Sequence, residues 1–186
     1  MPRRVYLAGP DVFLPDAPAH AARKQAICAR HGLEPLTPLN EDVASLAAMP
    51  EAEAWRVIFA KDLAMMHAAD LVIANLTPFR GASADAGTLV ELGWFLGAGK
   101  SAFGYSNSAA PFVTRNAAFL RAQRDPMPGL VVGGFGLPDN LMIPGALEHA
   151  GGLAMVLPED GRDRAFDALD VFERCVALVA TRLASG

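Results

Sequence analysis

Short β-rich runs alternate with longer segments of helical periodicity about five times along this chain of 186 residues. That alternation leaves few architectures open, because a strand, a helix and a second strand of the same direction make a parallel sheet with helices packed on both faces. The first run, RVYLAG (4–9), ends in glycine and proline as a buried strand does. Residues 17–31 read as a helix stopped by Gly32, and LEPLTPL (33–39) as a strand interrupted by proline. Residues 51–70 repeat Trp55, Ile58, Phe59, Leu63 and Met66 at helical spacing, which predicts a helix with these side chains on its inner stripe. LVIANL (71–76) is the strongest strand signal, followed by a loop over 77–84 and a helix over 85–98 closed by Gly99. SAFGYS (101–106) and LAMVL (153–157) read as the last two strands, which makes the expected sheet five-stranded. Residues 107–129 are polar and proline-bearing with a helical patch near 113–123, and read as an insertion loop. Residues 129–147 run from a weak strand through a turn to a helix start. A final amphipathic helix is expected over 162–183, with Phe166, Leu169, Phe172, Val176, Val179 and Leu183 inward. The whole, 1–186, is expected to be a single domain, a length that suits one sizeable core.

Composition narrows the function classes. The chain is 52% hydrophobic and 19% charged, with a net charge of −4 and no basic block, which argues for a globular protein and against nucleic-acid polymers or anionic lipid as partners. The run after the N-terminal basic pair is too short for a signal peptide, and no stretch reaches ~18 uncharged apolar residues. The two cysteines, Cys28 and Cys175, stand in no metal-ligand spacing and read as reduced, buried thiols of a cytoplasmic protein. The four histidines show no ligand spacing either, so no metal site is expected. YLAGP lacks the glycine patterns of dinucleotide and triphosphate cradles, and no serine sits in a nucleophile elbow.

What remains is carboxylates. In a sheet of this kind ligands bind beyond the carboxyl ends of the strands. Glu91 lies in the apolar helix DAGTLVELGW, and its neighbours one turn away are Gly87, Thr88, Trp94 and Phe95, none of them charged. An unpaired buried carboxylate costs several kcal/mol unless it is protonated or partnered, so Glu91 reads either as a solvated helix-edge residue or as a group facing a ligand pocket. Asp85 stands where an N-cap is favoured, which does not exclude catalysis. Asp62 sits on an apolar stretch of its helix, and reads as a surface position or a site group. Asp11 follows the first strand, as a turn residue or a ligand contact. Phe13 and the Pro78–Phe79 pair could stack on an aromatic ligand, with Phe13 alternatively ordinary core, and Arg80 could close over the site or stand in solvent.

VYLAGPDVF, AKDLAMMHAADLVIANLTPFRG, DAGTLVELGWFLGAGK and PDNLMI, in this order from residue 4 to about residue 147, resemble the nucleoside 2-deoxyribosyltransferases. The resemblance implies a flavodoxin-like doubly wound sheet and a homo-oligomer with shared sites. It implies Glu91 as nucleophile, Asp85 near the base, Asp62 as a further site carboxylate and Tyr6 as the group that holds the nucleophile. It also implies that Asn140 reaches a neighbouring subunit's site to bind a sugar hydroxyl, with Gly9 and Met142 among the substrate-binding residues. The implied activity is transfer of a 2-deoxyribosyl group between nucleobases through a covalent ester on Glu91, in double displacement with net retention. Substrates are then 2′-deoxynucleosides and free nucleobases, in nucleotide salvage. A related group, the 2′-deoxynucleoside 5′-phosphate N-hydrolases, shares the ELG core and supplies an alternative in which water takes the place of the second base. A non-catalytic nucleotide-binding module on the same fold is the alternative of another class, since fold does not fix function.

Overall fold

The computed structural model describes residues 2–39, 48–123, 125 and 127–185. Four strands, β1 (Arg3–Ala8), β2 (Leu33–Leu36), β3 (Leu71–Asn75) and β4 (Ser101–Tyr105), form one parallel sheet in the order β2-β1-β3-β4. The register sets Tyr6 against Val72 and Ala74 against Gly104. Six helices accompany them among the described residues: α1 (Ala17–Arg30), α2 (Glu51–Ala68), α3 (Ala86–Gly97), α4 (Phe112–Ala122), α5 (Met142–Gly151) and α6 (Asp170–Ala184). A short 3-10 turn, Pro10–Phe13, follows β1.

The expected fifth strand is reduced to a single parallel bridge, Tyr105 to Val156. Val156 exchanges hydrogen bonds with Gly104 O and Ser106 N at 3.0 and 2.9 Å. Gly152 turns the chain at φ +67 just before this segment, and Pro158 has no N–H to extend the ladder after it. The sheet is therefore four-stranded, with one bridged residue on its β4 edge.

Because side chains alternate along a strand, the sheet has two unlike faces. Val5, Leu7, Leu71, Ile73, Phe103 and Tyr105 point one way and pack on α1 and α6 through Ile27, Cys28, Phe172, Cys175, Val176 and Val179. Tyr6, Ala8, Val72, Ala74 and Ala102 point the other way, under Met66, Leu92, Phe95 and Leu147. The second face is small, and at Gly104 a Cβ would lie 2.6 Å from Leu76 and 3.2 Å from Leu147. Helices can approach closely there, and room is left at the strands' carboxyl ends.

Two further expectations change. The last helix begins at Asp170, so Phe166 and Leu169 precede it in an irregular strap. Asn107 holds that strap by donating to the carbonyls of Ala165, Phe166 and Ala168 at 2.9–3.0 Å, while Asp163 accepts from Ala109 N at 2.7 Å. In α2, Met66 is the buried member of the expected stripe, whereas Trp55 and Phe59 are 55% and 59% exposed. The helix has 18 residues, about 27 Å at 1.5 Å per residue, and the strand after it has five, about 17 Å. Its N-terminal half overhangs the sheet. Among the described residues no helix is long and apolar enough to cross a membrane.

Candidate active site

The overhang of α2, the start of α3 and the turn after β1 enclose a cleft of about 450 Å³ beyond the carboxyl ends of the strands. Glu91, Asp85, Asp62, Gly9 and Phe13 line it together, with Gly87 and Thr88 on the α3 side and Ile58 on the α2 side. Val12, Pro10, Pro38 and Leu39 make the rest of the wall apolar.

Glu91 is anchored from beneath. Tyr6, fully buried on the small face of the sheet with its ring stacked on Phe95 at 5.9 Å, donates its hydroxyl to Glu91 Oε1 at 2.6 Å. Burial pushes the Glu91 carboxyl up to about 7. The Tyr6 hydrogen bond opposes that shift, and the charges of Asp62 and Asp85 add to it. Burial and the neighbouring Glu91 hold the Tyr6 hydroxyl well above its ordinary range, so it stays a donor.

The two aspartates differ in their partners. Asp85 is the N-cap of α3, accepting from Thr88 N at 3.0 Å and Thr88 Oγ1 at 3.2 Å. Asp62 has one oxygen, Oδ1, that is buried and meets no hydrogen-bond donor among the described residues. Burial raises its carboxyl to about 6. The cleft thus holds one carboxylate tied to the backbone, one tied to a tyrosine, and one with an oxygen to spare.

Asp11 is engaged behind the wall. Lys24 Nζ lies 2.7 Å from its Oδ2, Asn75 Nδ2 donates to Oδ1 at 2.9 Å, and His20 Nε2 is 3.5 Å away. Burial would raise this carboxyl, but Lys24, His20 and Asn75 together hold it well below the usual carboxylate range. Its geometry is that of a brace for the Pro10–Phe13 turn. The turn also needs Gly9, where a Cβ would stand 2.8 Å from both Asn75 Cβ and Asp11 Oδ2. Phe13, 65% exposed, stacks on Phe79 at 5.7 Å. The Arg80 guanidinium covers both rings, at 5.9 Å from Phe13 and 5.1 Å from Phe79, with its backbone at φ +53.

Asn140 and Met142 do not join the cleft of their own chain. They line a separate groove of about 460 Å³ with Leu89, Leu92, Gly93 and Leu96, on the opposite side of α3 from Gly87, Thr88 and Glu91.

Two contributors are given no role in the motif reading. Lys24 is 1% exposed, and its spacing with His20, Ile27 and Cys28 on the inner stripe of α1 is the clue that a buried cation needs Asp11. Lys100, in the GK that ends the motif, donates to the carbonyls of Met66, His67 and Ala69 at 3.0, 2.8 and 2.6 Å. It thereby clasps the end of the Asp62 helix, while its ammonium lies 5.3 Å from the Trp94 ring of the Glu91 helix.

A profile of the family described as nucleoside 2-deoxyribosyltransferase matches residues 5–142. The solved structure of a 2-desoxiribosyltransferase from Leishmania mexicana is 31% identical, covers 97% of this chain and 98% of its own, and superposes with a TM-score of 0.64. A conserved protein from Enterococcus faecalis V583 shares the fold at 17% identity and a TM-score of 0.53, over 96% of this chain and 99% of its own. An uncharacterized protein of Schizosaccharomyces pombe is 26% identical over 198 residues, covering 97% of this chain and 90% of its own.

Proposed function

Because this chain belongs to the nucleoside 2-deoxyribosyltransferase family, and so to the pentosyl-transferring enzymes, we propose that it exchanges the nucleobase of 2′-deoxynucleosides through an ester on Glu91. The observation that carries the reading is the Tyr6–Glu91 hydrogen bond of 2.6 Å, in a cleft that Asp62 also lines, with its buried Oδ1 unpartnered among the described residues.

In this reading Glu91 attacks C1′ of the nucleoside through an oxocarbenium-like transition state. The C1′–N bond breaks, its electron pair goes to the base, and the base takes a proton from Asp62. Asp62 suits that step better than Asp85, since burial favours its protonated form and Asp85 is occupied in capping α3. A nitrogen of a second base then attacks C1′ from the side the first one left. The C1′–O ester bond breaks, Glu91 recovers its carboxylate, and the incoming base returns a proton to Asp62. Two inversions give net retention, as in retaining glycosidases. Tyr6 aims the nucleophile, and the apolar wall of Val12, Phe13, Ile58 and Leu39 keeps water from the ester. The outer face of Phe13 offers a stacking surface for the base, with Arg80 over the Phe13–Phe79 pair. A 2′-hydroxyl would destabilise the cation and, once buried, would need a partner of its own.

The protein functions as a homo-oligomer in this reading, with Asn140 and Met142 serving a neighbour's cleft; their place on the far side of α3 is what that role requires. Asp11 acts in substrate binding through the turn that presents Gly9 and Phe13. The reaction asks for no cofactor, and salvage of bases in the cytoplasm is the setting it fits.

Incubation with deoxyinosine and free adenine tests the reading. Deoxyadenosine and hypoxanthine should appear together, and Glu91→Ala should abolish both. Free deoxyribose and hypoxanthine without deoxyadenosine would assign hydrolysis instead, and exchange that survives Glu91→Ala would remove the nucleophile.

A further inference from the structure

Among the described residues the 107–129 segment contributes none to the cleft, yet its helix α4 carries a half-buried arginine that reaches three separate loops. Arg115 donates from Nε to Ala82 O at 3.0 Å, from a terminal nitrogen to Pro138 O at 2.7 Å, and from the other to Ala110 O. The terminal nitrogen that meets Pro138 also lies 3.5 Å from Asp139 Oδ2. The Asp139 carboxylate is fully buried and holds the same stretch from the other side. It accepts from Ser83 Oγ at 2.6 Å, from Ala84 N at 3.2 Å and from Asn140 N at 2.8 Å. Residues 82–84 are therefore gripped at a carbonyl, a hydroxyl and an amide by one ion pair. The next residue is Asp85, the cap of α3, and two turns of that helix carry the cleft wall from Asp85 to Glu91. Burying an arginine and an aspartate together costs desolvation that only good geometry and full hydrogen bonding repay. Here the contacts of both partners converge on the loop before α3, at Ala82, Ser83 and Ala84.

We propose that Arg115 is a positioning residue which, through Asp139, fixes Ala82–Asp85 and the first turn of α3, and so sets how much of the Glu91 ester goes to an incoming base rather than to water. The inference rests on the reading given under Proposed function. Loss of the grip loosens one wall of the cleft. A water oxygen then attacks C1′, the ester C1′–O bond breaks to return the Glu91 carboxylate, the water proton passes to the Asp62 carboxylate, and free deoxyribose leaves. A 1 Å displacement of such a wall is enough to change rates by about two orders of magnitude.

The test measures deoxyadenosine and free deoxyribose from deoxyinosine and saturating adenine, with kcat and KM, for four proteins. Wild type sets the transfer-to-hydrolysis ratio. Arg115→Ala should lower that ratio by about tenfold or more, and Ser83→Ala, which removes one donor to Asp139 with little risk to folding, should lower it by a smaller factor. Arg30→Ala breaks only the exposed pair with Glu173 and should leave it unchanged. A merely structural role would reduce both products in proportion to the folded fraction, so an unchanged ratio in Arg115→Ala overturns the proposal. If Arg115→Ala does not fold, an unchanged ratio in Ser83→Ala does so. A wild-type protein that exchanges nothing overturns the functional reading and this inference together; one that exchanges, with all ratios equal, overturns this inference alone.

Discussion

At the scale of single residues the site is a problem of two protons. In the proposed exchange Glu91 must be ionised to attack and Asp62 protonated to release the base, and burial raises both, to about 7 and about 6. With Glu91 above Asp62, the reactive form is the minor one of the singly ionised pair and is most populated between the two values. Since the groups feel one another, the titrations belong to the pair. The expected kcat/KM profile for exchange is a narrow bell centred between about pH 6 and pH 7, and a plateau extending to pH 9 would contradict the assignment of Asp62 as the acid. The same shift has a price in stability. A carboxyl with a raised folded-state pKa contributes stability that is complete below its unfolded pKa, near 4.5, and is lost as pH rises through about 7. Glu91→Gln keeps an acceptor for Tyr6 and carries no charge. It should abolish exchange and stabilise the fold at pH 8 by roughly 1–3 kcal/mol in urea unfolding, with the gain vanishing at pH 4.

At the scale of elements the lesson lies in α2. Its apolar spacing was legible, and so was the helix, but not which part of it meets the sheet. Periodicity reports a stripe, whereas burial depends on how far a helix outruns its strand, and Trp55 and Phe59 sit on the part that outruns it. That same overhang places Ile58 and Asp62 at the cleft. What keeps the helix in place is Lys100, whose ammonium replaces the missing donors at the C-terminus of α2. Lys100→Met retains the stem over Trp94 and loses the ammonium. It should lower stability by about 1–3 kcal/mol and raise amide exchange in the last turn of α2 more than in α6. Equal protection of that turn in wild type and Lys100→Met would show that the clasp is dispensable. Glu91 was readable as a lone carboxylate on an apolar helix, whereas Tyr6 as its partner came only from the resemblance to the family. The Asp11–Lys24 pair was missed because its members look ordinary until α1 is folded against β1.

At the scale of the whole molecule, alternation of strands and helices was enough to give a parallel sheet clothed on both sides, and it overstated the sheet by one strand. A run such as LAMVL signals an extended segment, but whether it pairs along its length depends on the glycine turn before it and the proline after it. The helical patch near 113–123 was legible, but not the contacts of Arg115, because nothing in the composition of that segment reveals what it touches. The placement of Asn140 away from the cleft of its own chain bears on assembly. If neighbouring subunits share sites, co-refolding the inactive Glu91→Ala protein with Asn140→Ala should restore exchange above either parent, through sites that combine an intact Glu91 with an intact Asn140. Recovery no greater than the Asn140→Ala parent would place Asn140 in its own chain's reaction or in none.

The contrast between the two sheet faces limits how such a protein can be re-engineered. Ala8, Ala74, Ala102 and Gly104 make a floor beneath the helices that leaves little to trim and lines no part of the cleft, so shortening it cannot admit a larger substrate. Wider acceptance would have to come from the rim, where Phe13 and Ile58 can be shortened without disturbing the layers beneath. The floor is where a breeder of variants should expect only losses.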